Sequence, residues 1–199
     1  MKAIAIDLGG TNIKAAVVDQ EQGIIEQTST PTHADLGRDY LLDRIASTVA
    51  ELTKADGAIG IGMGLPGMVN REQTTIYYAP NLPGWEEVNA AEEITKRTGL
   101  PCRIENDANI AALGSLHFGV GQKHDDFIIL TLGTGVGGGI IVNRQLFKGS
   151  RGMAGELGHV IIDYHGPLSN SVTRGTIEAY LGQRFLSRFA SDMIMQHPE

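Results

Sequence analysis

One pattern occurs twice along this chain, and it narrows the possible architectures sharply. Ile6-Asp7-Leu8-Gly9-Gly10-Thr11, continued by Ala15-Ala16-Val17-Val18-Asp19, aligns with Leu130-Thr131-Leu132-Gly133-Thr134-Gly135, continued by Gly139-Ile140-Ile141-Val142-Asn143. Each copy reads as an apolar strand, a turn of glycine and threonine, and a second strand. The separation is far longer than a solenoid repeat, so the pattern points to two similar domains, each presenting one hairpin turn. Chance likeness between two hairpins is the alternative. Such a turn offers backbone N–H groups and hydroxyls with no bulky side chain in the way. Two of them facing each other could hold a polyphosphate.

Glycine is also the compositional outlier, with 26 residues among 199, where roughly 7% is usual. Its clusters interrupt or follow β-branched runs, either as ordinary turns or as loops that approach phosphate or substrate closely. With 42% hydrophobic and 20% charged residues the chain can bury a core. A net charge of −7 argues against broad binding to nucleic acid or anionic membrane. The start places Asp7 where a signal peptide needs its apolar run, and no stretch is apolar enough to span a bilayer. Cys102 is the only cysteine, which excludes an internal disulfide and a thiolate zinc cluster. The expectation is a cytoplasmic protein with neither nucleic acid nor membrane as partner.

Residues 2–8, 14–19 and 23–29 read as strands, the first two joined by Gly9-Gly10-Thr11-Asn12. A helix is expected over 36–53 from the spacing of Leu41, Leu42, Ile45, Val49 and Leu52, and a glycine-loosened strand over 58–65. A second helix is expected over 86–98, stopped by Gly99 and Pro101. A short strand over 102–105 leads into a helix over 107–118. Strands at 126–132, 138–143 and 160–163 and a last helix over 176–190 complete the pattern.

Several residues along this frame suit chemistry on a hydroxyl. Asp107 lies where a strand ends and a helix begins. There a carboxylate is favoured ionised and can accept a proton, or it simply caps the helix. Asn106 can hydrogen-bond a ligand hydroxyl or serve the turn. Glu156 and His159, three apart in a glycine-rich loop, offer several donors and acceptors at close range, as a polyhydroxylated ligand requires. Asp7 beside a phosphate turn would repel phosphate directly. It suits Mg²⁺ bridging nucleotide phosphates, through water, or a strand-end cap. Thr11 and Thr134 offer hydroxyls, and Lys14 a positive charge.

These strings carry a family resemblance. Asp7-Leu8-Gly9-Gly10-Thr11-Asn12-Ile13-Lys14 resembles the first phosphate motif of the actin/hexokinase/Hsp70 superfamily, and Leu132-Gly133-Thr134-Gly135-Val136-Gly137-Gly138-Gly139 its second. Pro80-Asn81-Leu82-Pro83-Gly84-Trp85, Glu105-Asn106-Asp107-Ala108-Asn109 and Gly155-Glu156-Leu157-Gly158-His159 are similar to motifs of the ROK sugar kinases, closest to their bacterial glucokinases. The motifs occur in the family's order, from residue 2 to about residue 182.

The resemblance implies an α/β protein with the actin-like ATPase (ribonuclease H-like) fold in two similar domains. Residues 1–117 would form a small N-terminal domain with the first phosphate turn and Asp107. Residues 118–199 would begin a C-terminal domain with the second turn and the sugar loop. The phosphate-binding set is then Asp7, Gly9, Gly10, Thr11, Asn12 and Lys14 with Gly133, Thr134 and Gly135. The sugar-binding set is Gly67, Asn81, Asn106, Asp107, Glu156, His159 and Glu178. Asp107 is the implied base, ATP and Mg²⁺ are the cofactors, and a homodimer or other homo-oligomer is expected.

Two departures from the family pattern stand out. Many ROK proteins bind structural zinc through the loop histidine and a Cys-x-Cys-Gly-x-x-Gly-Cys-Leu-Glu segment. Here Ser169-Asn170-Ser171-Val172-Thr173-Arg174-Gly175-Thr176-Ile177-Glu178 stands in its place, with hydroxyls for all three cysteines. No zinc is expected, because Zn²⁺ in structural sites prefers thiolate and imidazole. Too few residues also follow Gly121 to complete a second actin-like domain. By resemblance roughly a third of a whole chain, including the adenine wall, would lie beyond Glu199. The second sheet is accordingly expected to expose an edge and an apolar face.

The function expected is ATP-dependent phosphorylation of a hexose, glucose to glucose 6-phosphate. An N-acetylhexosamine or fructose kinase of the same family is the nearby alternative. A non-catalytic sugar-responsive regulator is the alternative from another class, disfavoured because the strand at Lys2 leaves no room for an N-terminal helix-turn-helix.

Overall fold

A computed structural model describes residues 1–169 and 171–196. Asn170 of the hydroxyl-rich segment and residues 197–199 lie outside the described residues. The chain divides into two compact units, one of Met1–Asp107 with Ser150–Met153, the other of Ala108–Gly149 with Ala154–Glu199.

The first unit is built on a five-stranded sheet of order β3-β2-β1-β4-β7. β1 (Lys2–Leu8) pairs antiparallel with β2 (Asn12–Asp19), which pairs antiparallel with β3 (Gly23–Pro31). On its other side β1 runs parallel to β4 (Ala58–Leu65), and β4 parallel to β7 (Cys102–Asn106). Alternation decides which side chains enter the core: Ile4, Ile6 and Leu8 of β1 are buried, as are Ile13, Ala15 and Val17 of β2. Against them pack Leu41, Leu42, Ile45 and Val49 of α1 (Arg38–Ala50) and Ala90, Ala91 and Ile94 of α2 (Ala90–Thr98). A two-stranded hairpin, β5 (Met68–Val69) with β6 (Ile76–Tyr78), completes this unit.

In the second unit α3 (Asp107–Phe118) packs on a three-stranded antiparallel sheet of β8 (Phe127–Leu132), β9 (Val136–Val142) and β10 (Gln145–Leu146). Ala112 and Leu116 of α3 and Ile141 of β9 form a small core, with Phe127, Ile129 and Leu146 around it. The helix comes close because β9 carries glycine where it passes: a Cβ at Gly139 would lie 2.5 Å from the Ala112 Cβ, and one at Gly137 2.9 Å from the Ala108 Cβ. These glycines therefore serve helix packing. β8 stands at one edge of the sheet, and its other face leaves Ile128 and Leu132 more than 60% exposed and Leu130 exposed as well. A short helix, α4 (Ile177–Leu181), and a longer one, α5 (Gln183–Gln196), follow.

Four expected elements differ from the structure. The helix expected over 36–53 is a 3-10 turn at Ala34–Leu36, then Gly37 in the left-handed half of backbone space at φ 93°, then α1. The helix expected from residue 86 starts at Ala90. Val88 exchanges both backbone hydrogen bonds with Ile76, and Asn89 caps the helix by accepting from the Glu92 N–H at 3.1 Å. Residues 160–163 are no strand: a 3-10 turn at Leu157–His159 precedes them, and Ile161 makes only an isolated bridge to Thr176. The helix expected over 176–190 is split at Gly182, whose extended backbone separates α4 from α5.

Candidate functional site

The first glycine/threonine turn joins β1 to β2. The Gly9 N–H donates to the Asn12 carbonyl at 2.9 Å and closes the turn. The amides of Gly10 and Thr11 have no backbone acceptor among the described residues. Thr32 braces the turn from within: its N–H donates to the Thr11 carbonyl at 2.9 Å and its hydroxyl to the Gly9 carbonyl at 2.7 Å. Thr32 is fully buried, and sequence reasoning missed it because nothing in the local pattern marks a threonine just past a strand end. Asp7 and Lys14 face each other in register across β1 and β2, with carboxylate and ammonium 3.6 Å apart and both exposed.

The second set in this unit gathers where β4 and β7 end side by side, Leu65 opposite Asn106. Gly67 has φ 120°, a backbone that L side chains rarely adopt, and a Cβ there would collide with the Tyr78 carbonyl. The Asn106 amide donates to the Gly67 carbonyl at 3.1 Å and so joins two residues far apart in sequence. Asp107 follows at once, exposed, as the acid in the first turn of α3. Glu105, which sequence reasoning quoted without assigning a role, is buried; its carboxylate accepts from the Asn106 N–H at 3.0 Å and from the Gln73 amide at 2.9 Å. It positions the backbone that presents Asn106 and Asp107. Asn81 is exposed on a turn anchored by buried Leu82 and Trp85, and no hydrogen bond between it and Gly67 or Asn106 is found among the described residues.

In the second unit the turn between β8 and β9 repeats the first. The Gly133 N–H donates to the Gly135 carbonyl at 3.0 Å, and the amides of Thr134 and Gly135 have no backbone acceptor among the described residues. The Gly133 carbonyl accepts from the Gln183 N–H at the start of α5. Glu178 of α4 is drawn to this turn: its carboxylate accepts from the Val136 N–H at 3.1 Å, a bond that takes one oxygen. Glu156 and His159 meet through the carboxylate and Nε2 at 3.6 Å, and the His159 Nδ1 lies 3.5 Å from the Ser171 hydroxyl.

The segment that stands for the zinc ligands of other family members is a hydroxyl network. Ser171 is 2.8 Å from Ser169, while the Thr176 hydroxyl is used as the cap of α4, accepting from the Ala179 N–H at 3.2 Å. One imidazole with neutral hydroxyls is a donor set that does not fit structural zinc. Val172 in this segment has φ 61°, a strained setting for a β-branched residue. Nearby, the Tyr180 hydroxyl donates to Asp163 at 2.7 Å and the His165 N–H at 2.9 Å. These two donors hold the Asp163 carboxyl below its ordinary range, the tyrosine first. In the first unit, burial pushes the Cys102 thiol up to about 12, which leaves it unreactive.

A sheet with a glycine/threonine turn in each unit, and an acid at the start of the helix after β7, define the class: an actin-like ATPase fold. The chain matches the ROK family over residues 3–197 and belongs to it. It is 38% identical over 189 residues to the glucokinase of Thermotoga maritima, covering 95% of this chain and 60% of that protein. It is 31% identical over 191 residues to the xylose repressor of Bacillus subtilis, covering 92% of this chain and 48% of that protein. The crystal structure of a ROK family glucokinase from Streptomyces griseus in complex with glucose and AMPPNP superposes with a TM-score of 0.86 at 37% identity. That match covers all of this chain and 62% of that one. The chain thus spans about three fifths of the length of the glucokinases it matches.

Proposed function

We propose that the protein transfers the γ-phosphoryl group of ATP to a hexose hydroxyl, converting glucose to glucose 6-phosphate, with Asp107 as the base. The observation that carries this reading is the pair of glycine/threonine turns, each with two amides lacking a backbone acceptor among the described residues, together with an exposed carboxylate on the first turn of α3. The hydroxyl oxygen attacks the γ-phosphorus, its proton passes to Asp107, and ADP leaves. The helix N-terminus favours the ionised carboxylate that this step requires. Gly67, Asn81, Asn106, Glu156, His159 and Glu178 hold the sugar. Gly9, Gly10, Thr11, Asn12, Gly133, Thr134 and Gly135 receive the phosphates. Asp7, exposed beside the first turn, suits a magnesium ion held through water, which would compete with Lys14, 3.6 Å away, for its carboxylate. When bound, the ion offsets the charge of the nucleotide phosphates.

ADP release measured over glucose, fructose and an N-acetylhexosamine tests the reaction and its sugar. Asp107→Asn should lower turnover by about 10²–10⁴ while sugar binding is kept. Turnover within a few-fold of the parent would remove Asp107 from the role. The likeness to a xylose repressor supports a second reading, a sugar-responsive regulator; sugar binding with no ADP release from the parent protein would favour it. A cytoplasmic site of action and a homodimer or other homo-oligomer go with the kinase reading, the latter open to light scattering. No helix among the described residues is long and apolar enough to cross a membrane.

A further inference from the structure

The first unit carries a small cleft that none of the residues above lines. Arg71, Glu72, Tyr77, Ser150, Arg151 and Met153 enclose about 290 Å³. Arg71 and Arg151 both line it, on a chain with a net charge of −7, and neither forms an ion pair among the described residues. A third, Arg103, reaches the rim and donates to the Glu72 carbonyl at 2.7 Å.

The cleft is built on rigid backbone. Asn70 fixes the loop that carries Arg71 and Glu72: its side-chain carbonyl accepts from the Thr74 and Thr75 N–H groups at 2.8 and 2.9 Å, and its amide donates to the Thr74 hydroxyl. Gln73 ties the same loop to β7, its carbonyl accepting from the Ile104 N–H at 2.9 Å. Opposite, Ser150–Met153 leaves its sequence neighbours to join this unit. Gly152 is buried at φ 85°, and a Cβ there would lie 2.6 Å from the Val69 carbonyl and 3.3 Å from the Arg71 amide nitrogen. The Gly152 backbone thus packs against the Val69–Arg71 backbone, and the fold brings the segments bearing Arg71 and Arg151 together.

We propose that this cleft binds a phosphate dianion, either free or as the phosphomonoester of a small polyol. Guanidinium groups match phosphate oxygens bidentately, and the Tyr77 and Ser150 hydroxyls add donors. The Glu72 carboxylate accepts from hydroxyl groups of a polyol, and the Met153 side chain covers its carbon skeleton. The volume suits a small metabolite. The proposal stands apart from the kinase reading, since it requires no turnover.

Calorimetric titration with inorganic phosphate, glucose 6-phosphate and glucose, on the parent and on Arg71→Ala/Arg151→Ala, tests it. The double variant should bind the phosphate-bearing probes about tenfold or more weakly and glucose unchanged. Binding of inorganic phosphate alone identifies the free anion, and binding only of glucose 6-phosphate identifies the phosphomonoester. Identical titrations in parent and variant, or no binding of either probe, would overturn it. Arg151→Gln, which keeps a polar side chain, serves if the double variant loses its circular dichroism, and it should weaken the same probes.

Discussion

The glycine string that follows β8 contains residues with opposite tasks, and alanine substitutions separate them. At Gly139 an added Cβ would stand 2.5 Å from the Ala112 Cβ and 3.1 Å from the Ala108 carbonyl. Carbon atoms pack best about 3.5–4.0 Å apart, so α3 and β9 would have to part by about 1 Å. Neither obstacle is a flexible side chain that can swing aside. Overpacking of this kind costs about 1–3 kcal/mol, and alanine recovers about 0.5–1 kcal/mol through its smaller loss of backbone freedom. Gly139→Ala should therefore destabilise the protein by about 1–2 kcal/mol, or roughly 2–4 °C in melting temperature per kcal/mol for a chain of this length. At Gly133 no heavy atom lies within 4 Å of the added Cβ, and the backbone is outside the left-handed region. Gly133→Ala should change stability by less than about 0.5 kcal/mol, yet crowd the turn and weaken binding of a non-hydrolysable ATP analogue. Urea denaturation followed by circular dichroism, with calorimetry for the nucleotide, reads both effects. Equal midpoints for Gly139→Ala and the parent, or an equal fall for both variants, would refute the division of the string into packing and turn glycines.

Three further outcomes follow from particular contacts. Glu26 accepts from the Lys54 N–H at 2.7 Å and from the Thr53 N–H and hydroxyl, which holds its carboxyl below its ordinary value of 4.5, the Lys54 bond first. That stability is present above about 4.5 and lost as pH falls through the lower folded value. Glu26→Gln should therefore melt below the parent at neutral pH and converge with it in acid; a constant gap across thermal melts would exclude the linkage. Val172→Gly relieves a left-handed valine that is 78% exposed and should raise stability by about 1 kcal/mol, with an unchanged or lower melting temperature counting against the strain. Protein purified without a metal-affinity tag should carry no stoichiometric zinc by elemental analysis, and one tightly held ion per chain would sink the hydroxyl-network reading.

Local chemistry made much of the frame legible. β1 and β4 begin and end where the apolar runs meet polar or turn residues, and α3 spans Asp107–Phe118 between an acidic first residue and Gly119. The two turns were legible for the same reason: glycine after an apolar run permits the tight reversal that other residues resist. The expected exposed face of the second sheet is visible in Ile128, Leu130 and Leu132. Short-range pattern could not reveal β5 and β6, strands of two and three residues with no period to read. Nor could it place the start of α2, because Glu86-Glu87-Val88 looks helical until Ile76, from a hairpin far back in the chain, takes both of Val88's backbone hydrogen bonds.

What tertiary structure alone decided concerns partners distant in sequence. The composition of β9 announces glycines, but only the approach of α3 shows that Gly137 and Gly139 make room for a helix. The strings name Asn106 and Gly67, and the parallel pairing of β4 with β7 makes them hydrogen-bond partners. Thr32 under the first turn, Glu105 beneath Asn106, and the arginine pair of the small cleft had no signature of their own. A residue's propensity is local and can be read in place, whereas burial and hydrogen bonding depend on which distant segment arrives, and that is settled by the packing of the whole unit.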